Sequence, residues 1–394
     1  MAQLATQNKP GTLRSRLSND LPDATLVKWL YDMYLIREFE NRCAQAYQQA
    51  KIGGFCHLYI GQEAVAVGTI QSLNPDDPVV HAYRDHGHAL ARGMSPGACM
   101  AEMFGKTTGC AKGKGGSMHM FDKPHWFFGG HGIVGAQTPL GTGLAFAAKY
   151  ELEVLGKALP NPGVREGQAA RKKVSLAFLG DGALNQGALH EAMNLAGLYS
   201  IPVIYVVENN GYSMGTSIER GTTMAHDLMS KARAYGMEGR VVDGFDIIDL
   251  YDNFKPLVDG CREDQRPAFV DMKTYRYQGH SMSDPQKYRT KEEVETYKAK
   301  DSIDRLASFL MGSPVETVGQ SALEARKPRK CLTEDQFIEM QKEIKDIVRE
   351  AVDFAESSPI PDVEAELYSD VLVNPQPNMS PTRDYTIGAK NPLL

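Results

Sequence analysis

The chain has few cysteines, no long apolar run and no excess of positive charge, and each shortage excludes a class of function. Its 394 residues include six cysteines and no Cys-x-x-Cys pair, so neither a zinc knuckle nor a redox pair is indicated. No stretch approaches the roughly 18 apolar residues of a membrane span. The net charge of −6 gives no sign of general affinity for nucleic acid.

The N-terminal segment contains Lys9, Arg14 and Arg16 but lacks the apolar core of a secretory signal. The scarcity of cysteine is typical of a reducing compartment. Together these features favour the cytoplasm of a bacterium. The threonine, serine and arginine of the segment leave open a transit peptide and an organellar matrix.

The predicted organisation is one large domain with two irregular ends. Residues 1–22 are expected to form a flexible arm and residues 23–357 a globular domain. A stretch rich in proline, glycine and charge at about 156–172 is expected to be a surface insertion. The proline-rich residues 358–394 are expected to form an extended tail.

Apolar runs alternate with segments of helical periodicity through the middle of the chain. The runs predict strands at 78–83, 174–179, 202–208, 240–242 and 268–274. Helical spacing predicts helices at 23–51, 95–104, 141–155, 189–198, 227–235, 290–312 and 334–357. Strands that alternate with helices of about ten residues are typical of a parallel sheet with right-handed crossovers, so we expect an α/β fold.

The stretch between Gly105 and Gly143 is rich in glycine and is interspersed with lysines and histidines. A connection of this length without regular structure is normally either functional or disordered. Its aromatic residues, which include Phe121 and Trp126, argue against disorder. We therefore expect a functional loop here.

Two polar turns follow two neighbouring predicted strands. Gly180-Asp181-Gly182 follows the run at 174–179, and Asn209-Asn210 follows the run at 203–207. Each alone is usually only a turn. Ligands of parallel sheets bind beyond the carboxyl ends of the strands, and Asp181 and Asn210 offer the oxygen donors that Mg²⁺ prefers. Gly182 and Ala183 are expected to open a helix whose amides face phosphate.

Two other features suggest ligand sites but fit them poorly. Lys112-Gly113-Lys114-Gly115 lacks the spacing of a phosphate-binding loop, so a nucleotide-binding module is only a remote alternative. His86-Gly87-His88 and His119 suggest a metal site. Because no cysteine or carboxylate lies at ligand spacing, we expect polar loop histidines instead.

Several sequence motifs occur in the order typical of one family. They are Gly54-Phe55-Cys56-His57-Leu58-Tyr59, Tyr83-Arg84, Gly113-Lys114-Gly115-Gly116-Ser117-Met118-His119, Gly132-Ile133-Val134-Gly135, Glu208-Asn209-Asn210, Gly215-Thr216-Ser217 and Tyr275-Arg276-Tyr277-Gln278-Gly279-His280-Ser281-Met282-Ser283-Asp284-Pro285. From about residue 25 to 312 the chain resembles the α subunits of thiamine-diphosphate-dependent 2-oxo-acid dehydrogenase E1 components, and above all those of pyruvate dehydrogenase. The resemblance implies a three-layer α/β/α thiamine-diphosphate-binding fold with a mainly parallel sheet.

The resemblance also implies roles for individual positions. It places Asp181, Asn210 and the backbone carbonyl of Tyr212 on Mg²⁺. It places Tyr83, Arg84, Gly182, Ala183, Arg276 and His280 on the diphosphate of the cofactor. Gly132 and Val134 would contact the aminopyrimidine, with Val134 or Met214 holding the cofactor bent. Arg84 and Arg276 suit a diphosphate because guanidinium groups pair with phosphate in bidentate fashion.

His57 would face the substrate pocket. His57 and His280 are the candidate acid and base, because imidazole titrates near neutral pH. Which of them transfers which proton is left open, as is the alternative that His280 only donates to phosphate.

The implied reaction is the oxidative decarboxylation of pyruvate with transfer of the acetyl group to the lipoyl domain of E2. The glutamate that activates the aminopyrimidine comes from the β subunit in two-chain E1 enzymes, and no equivalent can be placed in this chain. An α₂β₂ heterotetramer is therefore expected, with the chain inactive alone. The α subunits of acetoin dehydrogenase and of branched-chain 2-oxo-acid dehydrogenase remain alternatives.

The loop after the last predicted strand resembles one that kinases phosphorylate in mitochondrial relatives. Ser281 and Ser217 match two such positions, but Lys287 stands where a third serine is expected. We therefore expect no kinase control, and Ser281 is expected to be a loop residue.

Overall fold

The computed structural model describes residues 17–158, 169–313, 327–366 and 369–370. Most of the predicted N-terminal arm, of the insertion and of the C-terminal tail lies outside the described residues, so these domain assignments stay predictions. Within the described residues, no helix combines the length and the low polarity needed to cross a bilayer.

The strands form one large sheet and one small hairpin. They are β1 (Val79–Ala82), β2 (Phe127–His131), β3 (Ser175–Gly180), β4 (Val203–Asn209), β5 (Tyr212–Ser213), β6 (Thr216–Ser217), β7 (Glu238–Asp243) and β8 (Ala268–Lys273). Among the described residues, six strands build the large sheet in the order β2-β1-β3-β4-β8-β7. Every pairing in this sheet is parallel, which confirms the predicted α/β class.

Strand β2 lies in the glycine-rich stretch and was not predicted. Its sequence contains Gly129 and Gly130, and glycine is depleted in strands. The strand forms because it pairs with β1 at the edge of the sheet. Its glycines also allow close approach, since a Cβ on Gly130 would lie 2.6 Å from the carbonyl oxygen of Met118.

The helices lie between the strands and at both ends of the chain. They are α1 (Asp23–Gln48), α2 (Glu63–Ile70), α3 (His86–Ala91), α4 (Pro96–Met103), α5 (Gln137–Tyr150), α6 (Gly187–Leu198), α7 (Ile218–Gly221), α8 (Met229–Ala234), α9 (Ile247–Asp264), α10 (Lys291–Lys298), α11 (Ser302–Leu310), α12 (Glu334–Ser357) and α13 (Val363–Glu366). The single helix predicted at 290–312 is in fact α10 and α11. Asp301 separates them because its side chain caps α11 by accepting from the amide of Ile303.

Alternate residues of the central strands face two separate apolar cores. On β3, Leu176 and Phe178 belong to one core, whereas Ala177 and Leu179 belong to the other. Helices α1, α2, α9 and α12 contribute to the first core, and α5, α6 and α8 to the second. The sheet therefore lies between two helical layers, which confirms the three-layer prediction.

The sheet order places a topological switch point between β1 and β3. The chain passes from β1 to β2 on one side and then returns to add β3 on the other side. In open parallel sheets, ligands bind at the carboxyl ends of the strands beside such a point. The segments that follow β1, β3, β4 and β8 meet there.

The first and last long helices pack against each other in the larger core. Helix α1 contributes Leu30 and Met33 to this core, and α12 contributes Ile344 and Val348. The N-terminal helix is thus covered by a segment that lies far along the chain.

Candidate active site

A cavity of about 710 Å³ opens at the carboxyl ends of the central strands. This volume is within the range of about 300–1,000 Å³ that is usual for small-molecule sites. All of the predicted site residues line it, namely His57, Tyr83, Arg84, Gly132, Val134, Asp181, Gly182, Ala183, Asn210, Tyr212, Met214, Arg276 and His280. The structure therefore brings the whole predicted set together.

The strands explain why residues so distant in sequence meet. Arg84 lies two residues after β1, Asp181 directly after β3, and Asn210 directly after β4. Arg276 lies three residues after β8. Parallel strands carry their carboxyl ends to one edge of the sheet, so all four side chains reach the same cavity.

Asp181 is a buried carboxylate with an unsatisfied oxygen. The residue is 3% exposed, and its Oδ2 has no hydrogen-bond partner within the described residues. Burial raises the pKa of this carboxyl to about 6. A buried charge without a partner is costly, so the position is suited to a bound cation.

Asn210 is held with its amide group in a defined orientation. Its Nδ2 donates to Oε1 of Gln62 at 3.2 Å, and its Oδ1 accepts from the amide of Tyr212 at 3.3 Å. The side-chain oxygen of Asn210 therefore faces the backbone of Tyr212. Together with Asp181 they form an all-oxygen donor set, which fits Mg²⁺.

Gly182 is a position where a side chain cannot be accommodated. A Cβ at this residue would lie 2.7 Å from the Cβ of Ser213. Gly182 and Ala183 were predicted to open a helix, and they do lie in a short 3₁₀ helix at Asp181–Asn185, whereas the α-helix α6 begins only at Gly187. This tighter helix follows directly from the strand, and the amide of Gly182 hydrogen-bonds to the carboxyl group of Asp181.

Two buried arginines line the cavity, and within the described residues neither makes an ion pair with a carboxylate. Arg84 donates to the backbone carbonyls of Leu58 at 2.7 Å and of His280 at 2.8 Å. Arg276 donates to the hydroxyl of Tyr288 at 2.9 Å. Burial, followed by repulsion from Arg276, lowers the pKa of Arg84 to about 10. Two buried positive groups that repel each other create a strong site for an anion.

The two candidate histidines lie side by side at the mouth of this site. Their ring centroids are 5.3 Å apart, and the ring of Tyr83 lies 4.6 Å from that of His57. Burial and then Arg84 lower the pKa of His57 to about 2, and the same two causes lower the pKa of His280 to about 3. Both rings are therefore neutral near pH 7 in the free chain.

The glycine-rich loop is organised by one carboxylate, Glu102, which no sequence pattern singles out. Both oxygens of the buried Glu102 accept backbone hydrogen bonds of 2.7 to 3.0 Å from Ala111, Gly113, Gly115 and Gly116. A carboxylate that accepts four amides fixes the loop in one conformation. The next residue, Ser117, lies 3.3 Å from the backbone amide of His57, so the loop reaches the cavity wall.

Glu208 is the one glutamate among the described residues that line the cavity. One of its carboxylate oxygens accepts a hydrogen bond from the hydroxyl of Tyr59. The other lies 3.1 Å from Nε2 of His81. Its position in the Glu208-Asn209-Asn210 motif could have drawn attention to it, but the buried partners could not be foreseen from sequence.

The prediction of polar loop histidines is wrong for His86 and His88. Both lie in α3 and are fully buried. Burial alone would lower the pKa of His86, but Glu40, whose carboxylate oxygens lie 3.0 Å from its Nδ1, outweighs this effect and the pKa is raised. His119 does lie in the loop, with its Nδ1 3.0 Å from the carbonyl of Gly130.

The lysines of the rejected phosphate-binding loop lie outside the cavity. Lys112 and Lys114 pair instead with Asp370, at 2.7 and 3.1 Å. Ser281 does line the cavity, where its hydroxyl lies 3.0 Å from that of Ser283.

Comparison with known proteins identifies the family. Residues 31–364 match the model of the family described as Dehydrogenase E1 component. The chain is 45% identical over 347 residues to the pyruvate dehydrogenase E1 component subunit alpha of Rickettsia bellii, covering 88% of this chain and 95% of that one. It is 46% identical over 348 residues to the protein of the same name from Rhizobium meliloti, with 88% and 90% covered. The chloroplastic subunit alpha-3 of Oryza sativa is 41% identical over 345 residues, with 88% and 75% covered. The chain belongs to the dehydrogenase E1 component family.

Proposed function

We propose that the chain is the α subunit of a pyruvate dehydrogenase E1 enzyme, which depends on thiamine diphosphate and Mg²⁺. One observation carries the proposal: two buried arginines and a buried aspartate, none of which makes a direct ion pair within the described residues, line the same cavity. A diphosphate would neutralise the arginines, and its Mg²⁺ would neutralise the aspartate. The choice of pyruvate as substrate rests on the relatives, which are pyruvate dehydrogenase subunits.

Different residues of the chain would bind different parts of the cofactor. Asp181, the oxygen of Asn210 and the backbone carbonyl of Tyr212 would bind the metal ion. Arg84 and Arg276 would pair with the diphosphate, together with Tyr83, His280 and the turn at Gly182 and Ala183. The aminopyrimidine would lie against Gly132 and Val134, with Met214 beside the cofactor. When bound, thiamine diphosphate supplies the nucleophilic carbon and the electron sink that decarboxylation of a 2-oxo acid needs.

His57 and His280 would handle protons beside the substrate. Part of the lowering of their pKa values comes from Arg84 and Arg276. An anion bound between these arginines would cancel that part, so the pKa of each ring would rise toward neutrality. Burial would still hold both pKa values down, but protonation of the rings would be easier in the loaded site than in the free chain.

A second subunit would complete the site. Both oxygens of Glu208, the cavity glutamate of the described residues, already face Tyr59 and His81. No free glutamate therefore faces the cavity from the part of the chain that the structure describes. We propose that the β subunit supplies it, in an α₂β₂ assembly that passes the acetyl group to a lipoyl domain of E2.

An exposed apolar surface on two neighbouring helices suits such a partner. Phe146 and Tyr150 of α5 and Val154 beyond it recur every four residues and are each at least 45% exposed. On α6, which packs against α5, Leu198 is 67% exposed. Aromatic and aliphatic groups exposed together typically mark a protein interface. This surface would be covered in the assembled enzyme.

Co-expression with a candidate β subunit tests the proposal. Substrate oxidation would be followed with an artificial electron acceptor and a panel of pyruvate, acetoin and a branched-chain 2-oxo acid. We expect activity only from the two-chain enzyme, with pyruvate the preferred substrate, and none after Asp181→Asn in the same complex. Activity of the isolated chain, or a preference for acetoin or the branched-chain acid, would contradict the proposal.

A further inference from the structure

Two histidines and a glutamate meet inside the protein, between β1, α3 and the end of β4. They are His81, His88 and Glu208, and none of them is more than 4% exposed. One nitrogen of each ring and one oxygen of the carboxylate all lie within 4.8 Å of one another. His81 and His88 are close in the sequence, but Glu208 lies far along the chain, so no spacing rule could have grouped all three.

The contacts of His81 determine which of its nitrogens carries a proton. Its Nδ1 lies 3.0 Å from the backbone carbonyl oxygen of Ala82, and because a carbonyl can only accept, Nδ1 must donate. A neutral ring then presents a lone pair at Nε2. Nε2 lies 3.1 Å from Oε2 of Glu208. Because both atoms are acceptors, they do not bond to each other, and Nε2 makes no hydrogen bond within the described residues.

The buried ring of His88 has even fewer hydrogen-bond partners than that of His81. Neither of its ring nitrogens has a hydrogen-bond partner in the described part of the chain, although Nε2 lies 3.7 Å from Oε1 of Glu208. Its ring is enclosed by those of Phe178, at 4.2 Å, and Tyr59, at 5.1 Å. Each buried polar atom without a partner costs about 1–3 kcal/mol. The cluster therefore brings two imidazole rings and a carboxylate together with few hydrogen bonds to satisfy them.

We propose that His81, His88 and Glu208 form a binding site for a divalent transition-metal ion such as Zn²⁺. Two imidazoles and a carboxylate are a donor set for this class of metal, whereas Mg²⁺ prefers oxygen alone. Ligand atoms around a tetrahedral zinc ion lie about 3.3 Å apart, given metal–ligand bonds of about 2.0–2.1 Å. Nε2 of His81 lies 3.1 Å from Oε2 of Glu208, and Nε2 of His88 lies 3.7 Å from Oε1. One ligand atom of each residue lies within 4.8 Å of the other two, so small side-chain shifts would bring them to the zinc distance.

The surroundings of the cluster fit this assignment. A histidine that binds a metal usually donates its other ring N–H to a carbonyl or carboxylate, as Nδ1 of His81 does to Ala82. Both His81 and Glu208 line the cavity, which gives the ion a route of entry. The site is distinct from the oxygen donors at Asp181.

Such an ion would have a positioning role for the neighbouring site. His81 lies two residues before Tyr83, and Glu208 lies two residues before Asn210. A metal bound between them would tie the end of β1 to the end of β4. The segments that face the diphosphate and Mg²⁺ would thereby be held at a fixed separation.

Metal titration of the full-length chain tests the proposal without any measurement of activity. The protein would be stripped with a chelator, saturated with Mg²⁺ to fill oxygen sites, and titrated with Zn²⁺ or with Co²⁺ as a coloured probe. We expect one equivalent of Zn²⁺ per chain and a Co²⁺ spectrum typical of nitrogen ligands. His88→Phe should weaken binding by about a hundredfold or more, since loss of an outer partner alone weakens such sites roughly 10- to 100-fold.

A matched control separates this site from histidine–carboxylate pairs in general. His125 and Asp122 form such a pair at 2.7 Å on the surface, and His125→Asn should leave the affinity for Zn²⁺ unchanged. Equal binding by the wild-type chain and a folded His88→Phe variant, as judged by circular dichroism, would overturn the proposal. In that case the three side chains would bind protons but no metal ion.

A second measurement keeps the proposal testable if His88→Phe does not fold. Crystals of the wild-type chain, loaded with Zn²⁺ in the presence of Mg²⁺, would be measured at the zinc absorption edge. An anomalous peak between His81, His88 and Glu208 is expected. Bound zinc with no peak at this place would overturn the assignment, and the result does not depend on whether the enzyme acts on pyruvate.

Discussion

The guanidinium of Arg84 donates a hydrogen bond of 2.8 Å to the backbone carbonyl of His280. This bond joins the segment after β1 to the loop after β8, two segments almost 200 residues apart. Arg84 thus has two tasks. It presents a positive charge to the cavity, and it fixes the loop that carries one of the candidate acid–base groups.

Replacing Arg84 by lysine should impair both tasks. Lysine keeps the charge but cannot reach the two carbonyls in fork geometry. We expect thiamine diphosphate to bind about tenfold or more weakly, since hydrogen bonds to charged groups contribute about 1.5–3 kcal/mol. Isothermal titration calorimetry of the co-expressed enzyme would measure this.

Arg92→Lys is the matched control. Arg92 also donates to backbone carbonyls, those of His125 and Pro75 among them, but it does not line the cavity. Its replacement should leave cofactor affinity within about twofold. An equal loss of affinity in both variants would show that Arg84 acts only through stability.

Asp181→Asn should stabilise the free chain while removing metal-dependent cofactor binding. Burial raises the pKa of Asp181 from 3.8 to about 6, so above pH 6 its charge is an unfavourable contribution that the unfolded state does not have. The pKa difference corresponds to about 3 kcal/mol. Urea unfolding at pH 7.5 should show that the free energy of unfolding increases by about 1–3 kcal/mol.

The control is Asp259→Asn, on the partly exposed side of α9, which should change neither the stability nor the cofactor binding. An Asp181→Asn variant with normal Mg²⁺-dependent binding would refute the assignment.

His57→Gln should slow decarboxylation more than it weakens cofactor binding. Acid–base catalysis by one side chain typically contributes about 10²–10⁴-fold. We expect kcat to fall within this range, with the affinity for thiamine diphosphate changed by less than about threefold. Steady-state kinetics and calorimetry on the same complex would check this. If binding fell more than kcat, His57 would be reassigned to the cofactor.

The low pKa of His57 also predicts a loss of stability on acidification. The folded chain resists protonation down to about pH 2, whereas the unfolded chain takes up the proton near 6.5, so stability falls as the pH drops below 6.5. Between pH 6.5 and pH 5 this one ring should account for about 2 kcal/mol. Urea unfolding at both pH values should show a shallower pH dependence for His57→Gln. An unchanged dependence would contradict the burial argument.

Glu102→Gln should loosen the glycine-rich loop. The amide that replaces one oxygen would present N–H groups to two backbone N–H groups, leaving donors without acceptors at about 1–3 kcal/mol each. We expect a destabilisation of about 2–4 kcal/mol and faster hydrogen exchange at residues 111–116. Glu339→Gln, on the exposed face of α12, is the control and should change neither quantity. Unaltered exchange in the Glu102 variant would show that the loop is held by other contacts.

The parts of the fold and site that could be predicted obey local rules. The strands β3 and β4 are uninterrupted apolar runs, and polar residues directly after them necessarily reach the carboxyl edge of a parallel sheet. Asp181 and Asn210 could therefore be selected from the sequence. The arginines and histidines required the family resemblance, because nothing local distinguishes Arg84 from other arginines.

The parts that could not be predicted depend on tertiary contacts. Strand β2 is too rich in glycine to be predicted from its own sequence, and it forms because it pairs with β1. Glu102 accepts from amides 9 to 14 residues later in a loop without periodicity. The cluster of His81, His88 and Glu208 joins a strand, a helix and a second strand. Sequence spacing does not predict tertiary contacts of this kind.

The packing of α1 against α12 has a consequence for synthesis of the protein. About 285 residues separate Gln48 from Glu334, and ribosomes add about 5–20 residues per second, so α1 lacks its contact with α12 for about 15–60 s during synthesis. Helices α2 and α3, which are made soon after α1, also pack against it, but the part that α12 covers stays open to unwanted association during that interval. The nascent chain is thus a natural client for chaperones, and slow expression at low temperature would demand more of them.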